Sequence, residues 1–176
     1  MNISNLLFLS AVAVSACSAL ASDSPEYVSG KLLLPAVTAD GQPGFFQDVV
    51  IESAGDNLWR VSELYEGIPN RHISQVELIK IDTNPVQIFL KIEGNFPNGC
   101  SAFGRVNTQL EGNAFELMAY KAVNKLAPGW VACTQAMVPF SETIPLPVYG
   151  LNAGTYTYSL NGEFAGTFTL DRKNSL

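Results

Sequence analysis

Histidine, cysteine and charge are all scarce in this chain of 176 residues. It has one histidine and three cysteines, and charged residues make up 15% of it. These are too few ligands for a zinc centre built from histidine and cysteine. The lone histidine, His72, has no evident partner for a Ser-His-Asp triad, and the G-x-S-x-G nucleophile motif is absent from the sequence. We therefore expect a protein that is not an enzyme and that carries no cofactor and no metal.

Basic residues are the scarcest charged class. Ten lysines and arginines face sixteen acidic residues, which gives a net charge of -6 and a pI near 4.7. No basic surface is available to neutralise phosphates, and this argues against a nucleic-acid partner. The hydrophobic content of 47% is too high for a disordered chain, and the length suits one or two small domains.

The first 21 residues contain no charged side chain at all. An apolar run from Leu6 to Ala16 and the small-x-small triplet Ala19-Leu20-Ala21 predict a signal peptide over residues 1–21, which is too short for a membrane span. An alternative is a bacterial lipobox, Val14-Ser15-Ala16-Cys17, in which Cys17 is lipidated. Either alternative predicts an extracytoplasmic chain, periplasmic or secreted in the first case and membrane-anchored through Cys17 in the second.

Two cysteines, Cys100 and Cys133, remain in the mature chain under either alternative. In an oxidising compartment, two cysteines of a small domain are expected to form a disulfide. The other interpretation is a reactive thiol, but no His, Lys or Arg flanks either residue in the sequence to lower its pKa.

Alternating apolar and polar residues predict strands along most of the chain. Residues 30–37, 45–51 and 58–64 predict a three-stranded meander within an N-terminal β region, residues 22–83. The segment Ile73 to Ile81 fits either a strand or a short helix. Asp82-Thr83-Asn84-Pro85 marks a boundary, and the regular strands and turns of residues 84–176 predict an antiparallel β-sandwich. The expected fold class is all-β.

A hairpin is predicted near the C-terminus, where Asn161-Gly162 separates two alternating strands. A two-residue loop would put the apolar residues of the two strands on opposite faces. We therefore predict a three-residue loop, Leu160-Asn161-Gly162, which places Tyr158 opposite Phe164 and Tyr156 opposite Gly166.

The C-terminal stretch also carries a family resemblance. Gly150-Leu151, Ala153-Gly154-Thr155-Tyr156, Asn161-Gly162 and Thr167-Phe168-Thr169-Leu170 resemble a pattern that ends uncharacterised bacterial envelope proteins with an immunoglobulin-like sandwich. The resemblance implies an immunoglobulin-like architecture and an extracytoplasmic address. It implies no catalytic residue.

Loops at the ends of a sandwich are common recognition sites, and one long loop stands out. It combines an aromatic anchor with two lysines in an acidic protein, and its candidate binding residues are Tyr120, Lys121, Lys125 and Trp130. We expect a non-catalytic interaction module with a protein or surface partner. The alternatives are a structural envelope protein, with Cys17 as its lipid anchor, and a secreted enzyme inhibitor or hydrolase.

Overall fold

The structure, a computed structural model, describes residues 24–123 and 132–176. These residues form strands and connecting turns, and none of them belongs to a helix long and apolar enough to cross a membrane. The strands, in chain order, are β1 (Glu26–Val28), β2 (Lys31–Ala39), β3 (Gln42–Gly55), β4 (Leu58–Glu66), β5 (Ile73–Ile81), β6 (Gln87–Phe96), β7 (Phe103–Glu111), β8 (Ala114–Lys121), β9 (Val138–Leu146), β10 (Gly154–Leu160) and β11 (Phe164–Leu170). The all-β class is confirmed.

The first four strands form one antiparallel sheet in the order β1-β2-β3-β4. This is the predicted meander with β1 added at its edge. Pro35 has no assigned partner in β3, although its neighbours Leu34 and Ala36 are paired in step, as expected for a residue without an N–H group. Left-handed turns at Asp40-Gly41 and at Gly55-Asp56-Asn57 connect the longer strands.

The remaining seven strands form a sandwich of two sheets, one in the order β5-β6-β9 and the other in the order β11-β10-β8-β7. The inward residues of both sheets make one apolar core. Its members, all buried, include Ile88, Leu90, Ile92, Phe115, Leu117, Leu146, Tyr156, Leu160, Phe168 and Leu170. The predicted β-sandwich is therefore confirmed, with a β meander before it.

Two features of the sandwich differ from the sequence-based expectation. β8 and β10 run parallel, because the chain crosses to β9 in the opposite sheet before it returns beside β8. The strand β5 pairs with β6 from Ile73 to Ile81, so it belongs to the sandwich. The boundary expected at Asp82–Pro85 is in fact the turn between these two paired strands.

The C-terminal hairpin keeps the predicted faces but shifts its register by two residues. Leu160 lies opposite Phe164, and Tyr158 lies opposite Gly166, so the predicted pairs are wrong. Asn161 and Gly162 both adopt positive φ, and the N–H of Glu163 donates to the carbonyl of Leu160. Asn-Gly thus forms a tight turn, and Glu163 is the extra residue that restores a common apolar face.

The meander and the sandwich meet along the first half of β3 and the end of β8. Tyr120 is fully buried there, and its hydroxyl donates to the carbonyl of Pro43 at 3.0 Å. Gly67 lies against the Tyr120 ring, where a Cβ atom would come within 2.6 Å of two ring carbons. The backbone N–H of Lys121 donates to the carbonyl of Ile68, which extends the junction towards the surface.

Candidate functional site

The disulfide between Cys100 and Cys133 is present, so the predicted pairing is confirmed. The two Cα atoms are 5.3 Å apart, and both residues are exposed. Cys100 follows β6 and Cys133 precedes β9, so the bond joins two connecting segments at one end of the sandwich rather than two strands. A backbone hydrogen bond from Gly99 to Thr134 reinforces the link.

Of the four residues predicted for the binding loop, two are described. Lys125 and Trp130 lie outside the described residues, as does Cys17. Tyr120 and Lys121 are the last residues of β8 and point to opposite faces of its sheet. Because burial removes the Tyr120 hydroxyl from water, its pKa is raised. Tyr120 is therefore a packing residue rather than an exposed anchor, which corrects the expectation for that residue.

Lys121 lies beside a cavity of about 330 Å³ next to the disulfide. Cys100, Ser101 and Ala102 line one side of it, and the end of β4 with Ile68 lines the other. The cavity therefore lies where the meander, the sandwich and the disulfide come together. A lysine and the carboxylate of Glu66 are its charged lining residues, a set that suits contact with a polar partner.

A second surface lies on the meander and was not foreseen. In the register of the four strands, Tyr27 pairs with Leu32, Leu32 with Ile51, and Ile51 with Val61. Residues directly opposite each other in a sheet share one face, so these four form an apolar row across the sheet. Trp59, two residues before Val61, lies on the same face. We call Tyr27, Leu32, Ile51, Trp59 and Val61 the apolar face.

The apolar face is open to solvent in the described structure. Tyr27 is 65% exposed, Trp59 56% and Val61 54%, while Leu32 and Ile51 are half-buried. Large exposed apolar patches are unusual on monomeric proteins, and this makes the apolar face a candidate interaction surface.

The opposite face of the same sheet carries charge, and several of its charges are paired. It contains Glu26, Lys31, Glu52, Arg60 and Glu63. The ammonium of Lys31 lies 2.5 Å from the Glu52 carboxylate, and Arg60 lies 3.4 Å from the same group. The hydrogen bond from Lys31 holds the pKa of Glu52 below its usual value. The same face also carries Val28, Leu33 and Val50, which pair with Lys31, Glu26 and Glu63, so it combines charged and apolar side chains; we call it the charged face.

Beside the charged face is a cavity of about 350 Å³, lined by Lys31, Asp48, Glu63 and Arg105 among others. Arg105 forms an ion pair with Asp48 at 3.7 Å. Within residues 24–123 and 132–176, no group of three or more His, Cys, Asp and Glu residues is arranged to hold a metal ion. The imidazole of His72 packs edge-on against Phe96, with ring centroids 5.7 Å apart.

The sequence contained one sign of the apolar face. In β4, Trp59 and Val61 alternate with Arg60 and Ser62, which is the pattern of a strand with one apolar side. That pattern by itself indicates core packing. The structure shows that these residues lie on the surface, because Trp59 and Val61 are exposed among the described residues.

The family model that matches this chain covers most of the sandwich and none of the meander. Residues 90–170 match the ORF11 beta-sandwich domain. Two curated proteins of Herpetosiphon aurantiacus, described as uncharacterized 10.2 kDa proteins in HgiBIM and HgiEIM 5' regions, are each 34% identical to the chain over 77 residues. Each match covers 44% of this chain and 88% of the relative. No solved structure matches the chain. The apolar face lies on β1 to β4, outside the matched domain.

Proposed function

This chain belongs to the same family as the two Herpetosiphon proteins, and from that premise we propose that it is a non-catalytic interaction module that acts outside the cytoplasm. The family domain supplies the scaffold. The β1–β4 sheet, which lies before residues 90–170, presents the binding surface.

The observation that supports this function is the exposure of the apolar face. Leaving Trp59, Tyr27 and Val61 in water is unfavourable, at about 25 cal/mol per Å² of apolar surface. A partner that covers them gains this free energy without any rearrangement of the sheet. Tyr and Trp are also the side chains that most often anchor interfaces. The partner we propose is a protein that presents an apolar surface.

An address outside the cytoplasm is supported by the disulfide. Cys100 and Cys133 are both exposed, and an exposed disulfide persists in an oxidising compartment but is reduced in the cytosol. A structural envelope role, with Cys17 as the lipid anchor, is the alternative. Mass spectrometry of the mature N-terminus separates the two. A chain that starts at Ser22 supports a secreted or periplasmic module, and a lipidated Cys17 supports the anchored protein.

Affinity capture with three matched variants tests the function. The purified protein serves as bait for extracytoplasmic extracts, together with Trp59→Ser, Trp130→Ala and Tyr149→Ser. Tyr149 is an equally exposed aromatic residue, at 64%, in the turn before β10, and serves as the control. A partner lost only with Trp59→Ser supports the proposal. Loss only with Trp130→Ala would move the binding site to the loop, and equal loss with Tyr149→Ser would indicate nonspecific adsorption.

A further inference from the structure

The strand β4 is an edge strand of the meander sheet. No strand of the described residues pairs with its outer side. It is nine residues long and contains no proline, whereas the edge strand β9 is interrupted by Pro139 and Pro145, and the edge strand β1 has three residues. Proline, short length, charged side chains and bulges are the usual protections of an edge, because an open edge offers unpaired N–H and C=O groups to another strand. In β4 the protections present are the charged residues Arg60, Glu63 and Glu66 and the bulge at Ser62. β4 lacks the first two protections, as do the edge strands β5 and β7, but unlike them it is exposed along almost its whole length.

We propose that β4 pairs in antiparallel orientation with β4 of a second copy of this chain, about a two-fold axis that passes beside Val61. This inference goes beyond the proposed interaction function, because it concerns the outer edge of β4 and not the apolar face. It leaves the apolar face open, and it joins two four-stranded sheets into one.

The axis is located by the faces of the sheet. A two-fold axis perpendicular to the sheet keeps each face on its own side, so a residue at the axis lies opposite itself. With Val61 at the axis, the apolar row of one copy meets the row of the other, and Val61 packs on Val61 of the second copy. The row then runs without interruption from Tyr27 of one copy to Tyr27 of the other.

Charge favours the same register. A bulge at Ser62 brings Glu63 to the charged face, where Arg60 also lies. With the axis at Val61, each Arg60 lies opposite Ser62 of the second copy and beside its Glu63. An axis at Arg60 or at Glu63 would instead oppose like charges across the pair, which is destabilising. The Arg60 side chain is 70% exposed and has room to reach a second carboxylate besides Glu52.

The dimer is expected to be reversible. One strand pair buries less than the roughly 1,200–2,000 Å² of a standard stable interface, so association depends on concentration. Isologous pairing also closes on itself, because each copy has one β4 edge, and it does not lead to fibres.

Cysteine cross-linking tests the register directly. In antiparallel strands, directly opposed Cα atoms are about 4.5–5.5 Å apart, within disulfide range. In a Cys17→Ser background, Val61→Cys treated with the oxidant diamide should give a covalent dimer whose yield rises with protein concentration. The control is Tyr27→Cys, an exposed position on the opposite edge, which should stay monomeric. Equal cross-linking of both variants, or none with Val61→Cys, overturns the proposed register.

Sedimentation supplies a second test that needs no new cysteine. Arg60→Glu should raise the dissociation constant of the dimer about tenfold or more. The charge swap Arg60→Glu/Glu63→Arg should bring the dissociation constant back to that of the unchanged protein. A protein that remains monomeric up to about 1 mM overturns the inference. Trp59-dependent capture of a partner by that monomer would leave the proposed function intact. Dimerisation without any Trp59-dependent partner supports the inference and contradicts the proposed function.

Discussion

A buried hydroxyl contributes to the junction between the meander and the sandwich, and Tyr120→Phe removes it. The Tyr120 hydroxyl donates to the carbonyl of Pro43 at 3.0 Å, and the ring is fully buried. Phenylalanine keeps the packing of the ring, so the substitution removes the hydrogen bond alone. A typical hydrogen bond contributes about 0.5–1.5 kcal/mol, and a buried carbonyl left without a donor costs about 1–3 kcal/mol. We expect the free energy of unfolding to fall by about 1–3 kcal/mol.

Urea unfolding followed by Trp59 fluorescence measures this effect at the junction itself. Trp59 lies in β4, so in a Trp130→Phe background the signal reports on the meander. Tyr156→Phe is the matched control, because its hydroxyl also donates to a backbone carbonyl at 3.0 Å, that of Asn152, but within the sandwich. The Trp59 transition should shift more with Tyr120→Phe than with Tyr156→Phe. Equal shifts, or no shift with Tyr120→Phe, would refute the reasoning that this hydroxyl holds the meander to the sandwich.

Three further predictions concern other parts of the fold. Reduction of the Cys100–Cys133 bond, or its replacement by two serines, should lower the free energy of unfolding by about 3–4 kcal/mol, because the bond closes a loop of 33 residues. Urea denaturation measures this change, and no change would show that the bond does not constrain the unfolded chain. Gly166→Ala should lower it by about 1–3 kcal/mol, because the new Cβ would lie 2.6 Å from the Tyr158 hydroxyl, and an unchanged melting temperature would contradict this packing. The hydrogen bond from Lys31 lowers the pKa of Glu52 from its ordinary 4.5, so its contribution to stability is present above that value and is lost as the pH falls through the lower folded pKa. In Glu52→Gln, the free energy of unfolding should therefore fall less steeply as the pH is lowered. Identical plots of the free energy of unfolding against pH for the two proteins would contradict the pairing.

Local patterns in the sequence were sufficient for the fold class and for most of the strands. Alternation of apolar and polar residues identified the meander and the sandwich, because each strand of a two-layer fold buries one face. The open choice for Ile73 to Ile81 is now settled as a strand, but its place in the sandwich depends on pairing with β6, a partner that lies beyond a turn. The parallel pairing of β8 with β10 depends on a crossover through β9, which no local pattern specifies.

The exposure of individual side chains was harder to predict, because it depends on which parts of the fold pack against them. Tyr120 was predicted as a binding residue of a long loop, yet it is the penultimate residue of β8, packs against Gly67 and is buried with its hydroxyl bonded to Pro43. The apolar face needs the register of four strands at once before its residues are seen to be neighbours. The disulfide was predicted from the expected oxidising compartment, in which two cysteines of a small domain commonly pair.

The most direct test of the proposed binding surface is the accessibility of Trp59 to a quencher. In the Trp130→Phe background, acrylamide quenching of Trp59 fluorescence should show an exposed indole when the protein is alone and dilute, in line with its 56% exposure. When the captured partner is added, quenching should fall sharply, because the partner covers the apolar face. An indole already shielded in the dilute protein, or one equally accessible with and without the partner, would contradict the claim that this face is the binding surface.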